Sequence, residues 1–186
     1  MLVSTTPTTS PPPRPLYFWR PHQEGTGYLS QWHPSAFTVS GATYATCEMW
    51  MMVQKARLFS DESAAAQMLE TTDPKVHKAL GREVRGFEGR LWDRRKFDIV
   101  VQGNLHKFTV SEDAERLREW LLATGERELV EASPMDRIWG IGFAERDAAA
   151  NRHRWGQNLL GKALMEVRAK LRKEEGEGGE KETESA

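Results

Sequence analysis

The fold of this chain is decided by the stretch from residue 44 to residue 59, which reads YATCEMWMMVQKARLF. Apolar residues recur along it at spacings of three to four, the period that places them on one face of an α-helix. These residues are Met49, Met52 or Val53, Ala56 and Phe59. We therefore predict a helix over 44–59, with Thr43 as its N-cap.

Two charged residues of this predicted helix, Glu48 and Lys55, lie seven positions apart. Seven steps of 100° return to within about 20° of the starting direction, so both side chains lie on one stripe of the helix. Their Cα atoms are ~10 Å apart along the axis, which suits a ligand lying across the stripe better than a direct ion pair. Met51 and Met52 between them would exclude water and shift the pKa values of both groups. The alternative is a surface Glu and a surface Lys on an amphipathic helix.

Composition sets the limits of the folded part. Residues 1–15 are rich in Thr, Ser and Pro, and residues 173–186 are rich in Glu, Gly and Lys. Neither segment can bury enough apolar surface to offset the entropy lost on ordering, so both are predicted to be disordered tails. The folded unit is then a single domain over 16–172.

The rest of that domain gives several helices and a few short strands. Helices are predicted over 62–71, 74–81, 94–107 and 158–172, with a further one from a cap at Ser111 to a stop at Gly125. Strands are predicted at 16–20, 37–39 and 129–132, and residues 133–157 are predicted to be largely loop. The fold class is therefore mainly α with a few short β-strands.

Charge and cysteine content restrict the function classes. The net charge of −1 provides no broad basic field for tracking a nucleic-acid backbone. The densest cationic stretch, 82–96, fits either a solvated helix face or a phosphate-contacting surface. The single cysteine, Cys47, forms no intrachain disulfide, which fits a reducing compartment. No apolar N-terminal segment or long apolar window is present, so we expect an intracellular, cytoplasmic protein without membrane contact.

A second candidate binding segment is the run from Asp136 to Gly142, which reads DRIWGIG. It is too rich in Gly for a helix, and as a loop it would bring the backbone N–H of Gly140 and the flat ring of Trp139 to a ligand. The alternative is a tight turn with a core tryptophan. Asn158 opens the last helix, where its side chain would either cap that helix or bind a ribose or base. Most of the seven tryptophans are expected in the core, with Trp92 and Trp139 as exceptions.

Metal and cofactor chemistry has little support in the sequence. The five histidines show no i,i+4 pair and no Cys partner, and Cys47 lies among apolar neighbours. Phosphate-binding Walker loops and the nucleophile elbow of hydrolases are absent from the sequence. We therefore expect neither a metal nor a cofactor.

Read in order, the short motifs of this chain resemble the NADAR family, also called YbiA-like. The motifs are YATCE running on to Lys55-Ala56, Gly81-Arg82, Gly103-Asn104 with Lys107-Phe108, Thr124-Gly125 with LVEA at 129–132, DRIWGIG at 136–142 and WGQNLLG at 155–161. The resemblance covers about residues 16–172. Met49 departs from the family pattern, which usually has His at this position.

The resemblance implies an N-glycosidase that hydrolyses a C1′–N bond. Its candidate substrates are ADP-ribose attached to guanine, free or on nucleic acid, and phosphoribosylamino intermediates of riboflavin synthesis. Either Glu48 or Asp136 would stabilise charge at C1′ or activate water, or Lys55 would attack C1′ and form an imine. The substrate-binding residues would be Arg82, Trp92, Trp139, Gly140 and Asn158. No protein partner is implied. A different class of function is a non-catalytic module that binds ADP-ribose or NAD, and a third is an interaction domain without a ligand.

Overall fold

The computed structural model describes residues 13–183, a mainly helical domain with two small two-stranded sheets. The predicted fold class is therefore confirmed. The helices are α1 Cys47–Leu58, α2 Glu62–Leu69, α3 Pro74–Arg82, α4 Gly89–Thr109, α5 Ala114–Ala123, α6 Glu145–Ala148 and α7 Leu159–Thr183. The strands are β1 Leu16–Phe18, β2 Phe37–Val39, β3 Ala42–Tyr44 and β4 Leu129–Glu131. Short 3₁₀ helices occur at Gly27–Leu29 and Ala149–Arg154.

Helix α1 is the centre of the molecule. It begins later than predicted, because Thr46, rather than Thr43, is its N-cap and accepts a hydrogen bond from the backbone N–H of Met49 at 3.1 Å. Eight of its twelve residues are buried, so the helix is covered on most of its circumference. It packs against α2, α3 and α4. Residues at its N-terminus are therefore held inside the domain rather than on an outer face.

The start of the predicted first helix belongs instead to a β-hairpin. Strands β2 and β3 are antiparallel, with Phe37 opposite Tyr44. Ser40 and Gly41 connect them with φ values of 51° and 79°, the left-handed pair typical of a two-residue hairpin turn. This turn signal, followed by Tyr44 as the last strand residue, moves the helix start to Cys47.

Strands β1 and β4 pair in parallel, with Leu16 opposite Leu129 and Phe18 opposite Glu131. Helix α7 packs against β4 and α4, so this small sheet is tied to the helical core. The parallel pairing joins the first and last thirds of the chain. It places the carboxyl ends of the two strands side by side.

Several predicted boundaries differ from the structure. Helix α4 begins at Gly89, well before the predicted 94, because Glu88 caps it by accepting from the backbone N–H groups of Arg90 and Leu91. Asp113, not Ser111, precedes α5. The loop predicted over 133–157 contains α6 and the second 3₁₀ helix.

The last helix is longer than predicted. Helix α7 continues past residue 172 to Thr183, where Glu and Lys, both good helix formers, outweigh the glycines. Glu174 and Glu175 pair with Arg118 of α5. Of the predicted N-terminal tail, residues 1–12 lie outside the described part, and the outer limits of the domain stay a prediction.

Candidate active site

Glu48 is a buried carboxylate in the first turn of α1. Its backbone N–H donates to the carbonyl oxygen of Gln31 at 3.0 Å, and its side chain accepts a hydrogen bond from the side chain of Trp32. Burial raises the pKa of Glu48 to about 7, and the charge of Asp136 adds to this rise, while Lys78 and the Trp32 hydrogen bond oppose it. A carboxyl group with such a pKa exchanges protons near neutral pH, which suits a general acid or base.

Two further carboxylates, from the end of β4 and the loop after it, interact electrostatically with Glu48 or with each other. Glu131 is the last residue of β4, and Asp136 lies in the loop that follows it. The pKa of Glu131 is raised to about 8. Burial is the largest cause, the charges of Asp136 and Glu48 add to the rise, and the charge of Lys78 opposes it. Like charges disfavour simultaneous ionisation, so the titrations of Glu48 and Glu131 are coupled.

The segment that carries Trp32 is held in place by α4. The ammonium group of Lys107, which is fully buried, donates to the carbonyl oxygens of Tyr28 and Ser30. Asn104 donates from Nδ2 to Oε1 of Gln31 at 3.0 Å. The Gly103-Asn104 and Lys107-Phe108 motifs therefore support the loop that contacts Glu48.

Lys55 lies at a different place from Glu48. Its Nζ donates to the carbonyl oxygen of Gly81 at 2.5 Å and lies 4.4 Å from the ring centre of Phe87 and 5.5 Å from that of Trp92. Burial lowers the pKa of Lys55. Lys78, rather than Lys55, is the lysine whose charge acts on Glu48. The predicted stripe is real, but its two ends have separate sets of neighbours.

Helix α3 brings two cations to the edge of this stripe. Lys78 and Arg82 are both exposed and lie one turn apart, which puts them on the same side of α3. The helix packs closely on α1 at Gly81. A Cβ atom at this position would come within 2.1 Å of Sδ of Met52. We define Lys78 and Arg82 as the α3 cationic ridge.

The DRIWGIG and WGQNLLG motifs form one interlocked unit. Oδ1 of Asp136 accepts from the backbone N–H groups of Ile138 and Trp139, both at 2.8 Å. The backbone N–H groups of residues 156–160 donate to carbonyl oxygens of residues 137–141, so the first turn of α7 is already satisfied. A Cβ atom on Gly140 would lie 2.8 Å from the carbonyl oxygen of Glu131, so this glycine is needed for packing against β4.

The side chain of Asn158 is bound to strand β4. Its Oδ1 accepts from the backbone N–H of Glu131 at 3.0 Å, and its Nδ2 donates to the carbonyl oxygen of Leu129 at 2.9 Å. The residue is buried, with a left-handed φ of 51°. Both ends of the amide bind the backbone of β4, and a role in ligand binding stays a prediction.

The aromatic candidates are partly accessible. Trp92 and Trp139 are half-buried, and both pack against the main core with one side. Among the described tryptophans only Trp50 is fully in the core, so the expectation of a tryptophan-rich core is wrong. The others stay partly exposed because they flank loops and helix ends.

The nearest cavity is not lined by Glu48, Glu131 or Asp136. A cavity of about 290 Å³ lies at the carboxyl ends of β1 and β4, where Phe18, Arg20 and Ala132 contribute to its lining. Among residues 13–183, no group of three or more His, Cys, Asp or Glu side chains is placed to hold a metal ion. Within the same range, none of the helices combines the length and apolarity needed to cross a membrane.

Three residues of the site were not predicted as such: Trp32, Lys78 and Glu131. Glu131 had a usable signal, since a glutamate between Val130 and Ala132 in an apolar strand calls for an explanation. No such signal marks Trp32 or Lys78 in the sequence, because only the tertiary fold brings their loop and helix to Glu48.

Comparison with known proteins agrees with this architecture. The family model described as the NADAR domain matches residues 17–172. N-glycosidase R617 of Acanthamoeba polyphaga mimivirus is 42% identical over 154 residues, covering 79% of this chain and 89% of that protein. N-glycosidase YbiA of Escherichia coli K12 is 32% identical over 133 residues, covering 72% of this chain and 74% of that protein.

A riboflavin biosynthesis protein of Vibrio vulnificus is 33% identical over 161 residues, which are 85% of this chain but 39% of that protein. The NMR structure of Escherichia coli YbiA superposes with a TM-score of 0.71 at 28% identity, covering 87% of each chain. The fold and the sequence motifs therefore lead to the same group of proteins.

Proposed function

This chain belongs to the NADAR family, whose model spans nearly all of its folded part, and we propose that it is an N-glycosidase that cleaves the C1′–N bond of a ribosylated base. Its substrate is ADP-ribose attached to guanine or a phosphoribosylamino intermediate of the kind used in riboflavin synthesis. The relative named as a riboflavin biosynthesis protein supports the second of these.

One observation carries the proposal: the buried carboxyl group of Glu48, whose pKa of about 7 lets it ionise near neutral pH. Cleavage of a C1′–N bond passes through a state with positive charge on the sugar, which a carboxylate stabilises. Such a carboxylate also accepts a proton from the attacking water. The hydrogen bond from Trp32 fixes its orientation.

The proposed binding groups lie along the stripe of α1, with Lys78 acting on Glu48 and Trp92 beside Lys55. The α3 cationic ridge of Lys78 and Arg82 offers two exposed positive charges for the phosphates of the substrate. The half-buried rings of Trp92 and Trp139 offer stacking surfaces for the base, each worth about 1–3 kcal/mol in comparable sites. Gly140 and Asn158 shape the loop and strand beside Glu131.

A lysine nucleophile is the competing mechanism. Burial lowers the pKa of Lys55, which favours the neutral amine that would attack C1′ and form an imine. Its ammonium group is, however, bound to the carbonyl oxygen of Gly81 and faces two aromatic rings. We therefore assign Lys55 to holding α3 and the Trp92 ring, and Glu48 to the reaction.

Mass spectrometry of released base tests the function. The protein is incubated separately with ADP-ribosylated guanosine and with a phosphoribosylaminopyrimidine, and borohydride is added to a parallel sample. We expect free base from one of the two and no adduct at Lys55. An adduct lost in Lys55→Ala would establish the imine route, whereas tight binding of ADP-ribose without release would establish the non-catalytic binding module.

A further inference from the structure

Glu131 has an unusual combination of burial and missing partners. Its Oε2 is buried, yet no donor or acceptor in the described part of the chain pairs with it. Its main chain is fully engaged, because the N–H donates to Oδ1 of Asn158 and the carbonyl oxygen accepts from the backbone N–H of Ile141 at 3.0 Å. A buried polar atom without a partner costs about 1–3 kcal/mol, so a purely structural residue here would be disfavoured.

The strand determines where this side chain lies. Successive residues of a strand alternate between faces, so Glu131 shares a face with Leu129 of the main core, while Val130 packs in the smaller cluster on the other face. The main core is also where α1 lies, and the charges of Glu48 and Asp136 both act on Glu131. The two hydrogen bonds of Asn158 fix the backbone of β4 that carries Glu131.

The two glutamates differ in the groups that surround their carboxyl groups. Glu48 has a donor, the Trp32 side chain, and Lys78 opposes the effect of burial on it more than any other group does. For Glu131, burial and the charges of Asp136 and Glu48 all favour the protonated form, with Lys78 as the opposing charge. A pair of carboxyl groups in unequal environments is the usual arrangement for one base and one acid.

We propose that Glu131 is a catalytic residue of the N-glycosidase reaction, the general acid that protonates the departing base. This rests on the proposed function. Water attacks C1′ and gives a proton to the Glu48 carboxylate, while the C1′–N bond breaks and its electron pair stays on the base nitrogen. That nitrogen takes the proton of the Glu131 carboxyl group. The products are the free base and a ribose hydroxyl at C1′, and proton exchange with solvent restores both glutamates.

Leaving-group dependence tests this role. Glu131→Gln and wild type are compared on ADP-ribosylated guanosine and a phosphoribosylaminopyrimidine, which need protonation, and on a para-nitrophenyl riboside 5′-phosphate, whose phenolate leaves without it. We expect Glu131→Gln to lower kcat/KM by about 100-fold or more on whichever base-linked probe the wild type cleaves, and by less than about 10-fold on the nitrophenyl probe. The control is Glu128→Gln, three residues earlier and paired with Arg152, which should change neither value.

One further measurement, the pH profile of kcat/KM, separates the outcomes. The alkaline limb of the kcat/KM profile should disappear in Glu131→Gln, which loss of structure alone would not cause. Equal losses on base-linked and nitrophenyl probes, or an unchanged alkaline limb, would overturn the acid role while leaving the N-glycosidase function intact. A wild type that releases base from none of the probes would overturn the function itself and the inference with it. If Glu131→Gln fails to fold, Glu131→Met, which has a similar length and no acidic proton, is held to the same criteria.

Discussion

At the scale of single residues, opposing influences determine the pKa of Glu48. Burial and the charge of Asp136 favour its neutral form, while Lys78 and the Trp32 hydrogen bond favour the carboxylate. Burial is the largest of these, which is why the pKa of Glu48 rises to about 7 rather than falling, as it would at an exposed helix N-terminus. A small change in either group of influences therefore alters the fraction of carboxylate at neutral pH.

Removing the Lys78 charge should make Glu48 a weaker acid. In Lys78→Met the opposing positive charge is lost, so the pKa of Glu48 rises and the acid limb of kcat/KM moves to higher pH, by about 0.5–1 unit. Lys75→Met, on the same helix and also exposed, should leave the limb in place. The pH profiles of both variants check this, and a shift to lower pH would contradict it.

At the scale of elements, glycines allow the helices to approach one another. Gly103 lies inside α4, where glycine costs about 1 kcal/mol relative to alanine, and the structure gives the compensating reason. A Cβ atom there would lie 2.5 Å from Cδ1 of Trp50, whose Nε1 donates to the carbonyl oxygen of Ile99 at 2.9 Å. The contact that orients α1 against α4 thus depends on this missing side chain.

Gly103→Ala should therefore destabilise the protein despite the better helix propensity of alanine. The Trp50 ring is buried and hydrogen-bonded, so it yields only with strain, and we expect a net loss of about 1–3 kcal/mol. Gly176→Ala in α7 has nothing within 4 Å of its new Cβ and should stabilise by about 0.4–1 kcal/mol. Urea unfolding of both variants measures the difference, and a stabilised Gly103→Ala would refute the packing argument.

Asn158→Ala should act on stability and not on ligand contact. It removes two hydrogen bonds to β4 and leaves a left-handed φ of 51° on a residue that tolerates it less well, for a loss of about 3 kcal/mol. Asn151→Ala removes two exposed hydrogen bonds, one to the carbonyl oxygen of Asp147 and one from Arg154, and should lose about 1 kcal/mol or less. Calorimetric titration with ADP-ribose accompanies the unfolding curves. Unchanged stability with weaker ADP-ribose binding would restore the ligand role of Asn158.

The sequence predicted the fold class well because helix caps and apolar spacing are local. Asp61 and Asp73 cap α2 and α3, directly before the helices predicted from residues 62 and 74. The start of α1 was mispredicted because a hairpin competes for the same residues, and hairpin pairing was not apparent from the helical spacing. Predictions failed where a partner from a distant segment decides the structure.

At the scale of the whole molecule, the candidate site is assembled from segments far apart in the chain. Trp32 comes from the N-terminal loop, Glu48 from α1, Lys78 from α3, and Glu131 and Asp136 from the end of β4 and its loop. The resemblance identified Glu48 and Asp136 but not their neighbours. Pairing of β1 with β4 and the clamp from Asn158 are tertiary features, so the sequence alone could not predict that Glu131 would join the set.

This assembly should make stability fall as the pH rises. The pKa of Glu131 is about 8 in the folded protein against an ordinary value of 4.5, so the unfolded chain releases its proton first. The contribution of Glu131 to the free energy of unfolding is fully present below pH 4.5 and is lost as the pH rises toward 8. Burial lowers the pKa of His33 and of Lys107, which makes stability rise with pH. The effect of Glu131 is therefore measured as a difference between wild type and a Glu131 variant.

We therefore expect Glu131→Gln to gain stability relative to wild type between pH 5 and pH 8, by more than about 1 kcal/mol at the upper end. Chemical unfolding at several pH values gives the difference curve. A difference that stays constant with pH would mean that the pKa of Glu131 is not raised in the folded state.

The most direct test of the central claim is base release by Glu48→Gln. The amide keeps the size of the side chain and its place in the first turn of α1 but cannot become a carboxylate. The account predicts that wild type releases base from one of the two ribosylated substrates, and that Glu48→Gln, folded and still binding ADP-ribose, releases it at least about 100-fold more slowly. Release by Glu48→Gln at the wild-type rate would contradict the claim that Glu48 performs the reaction.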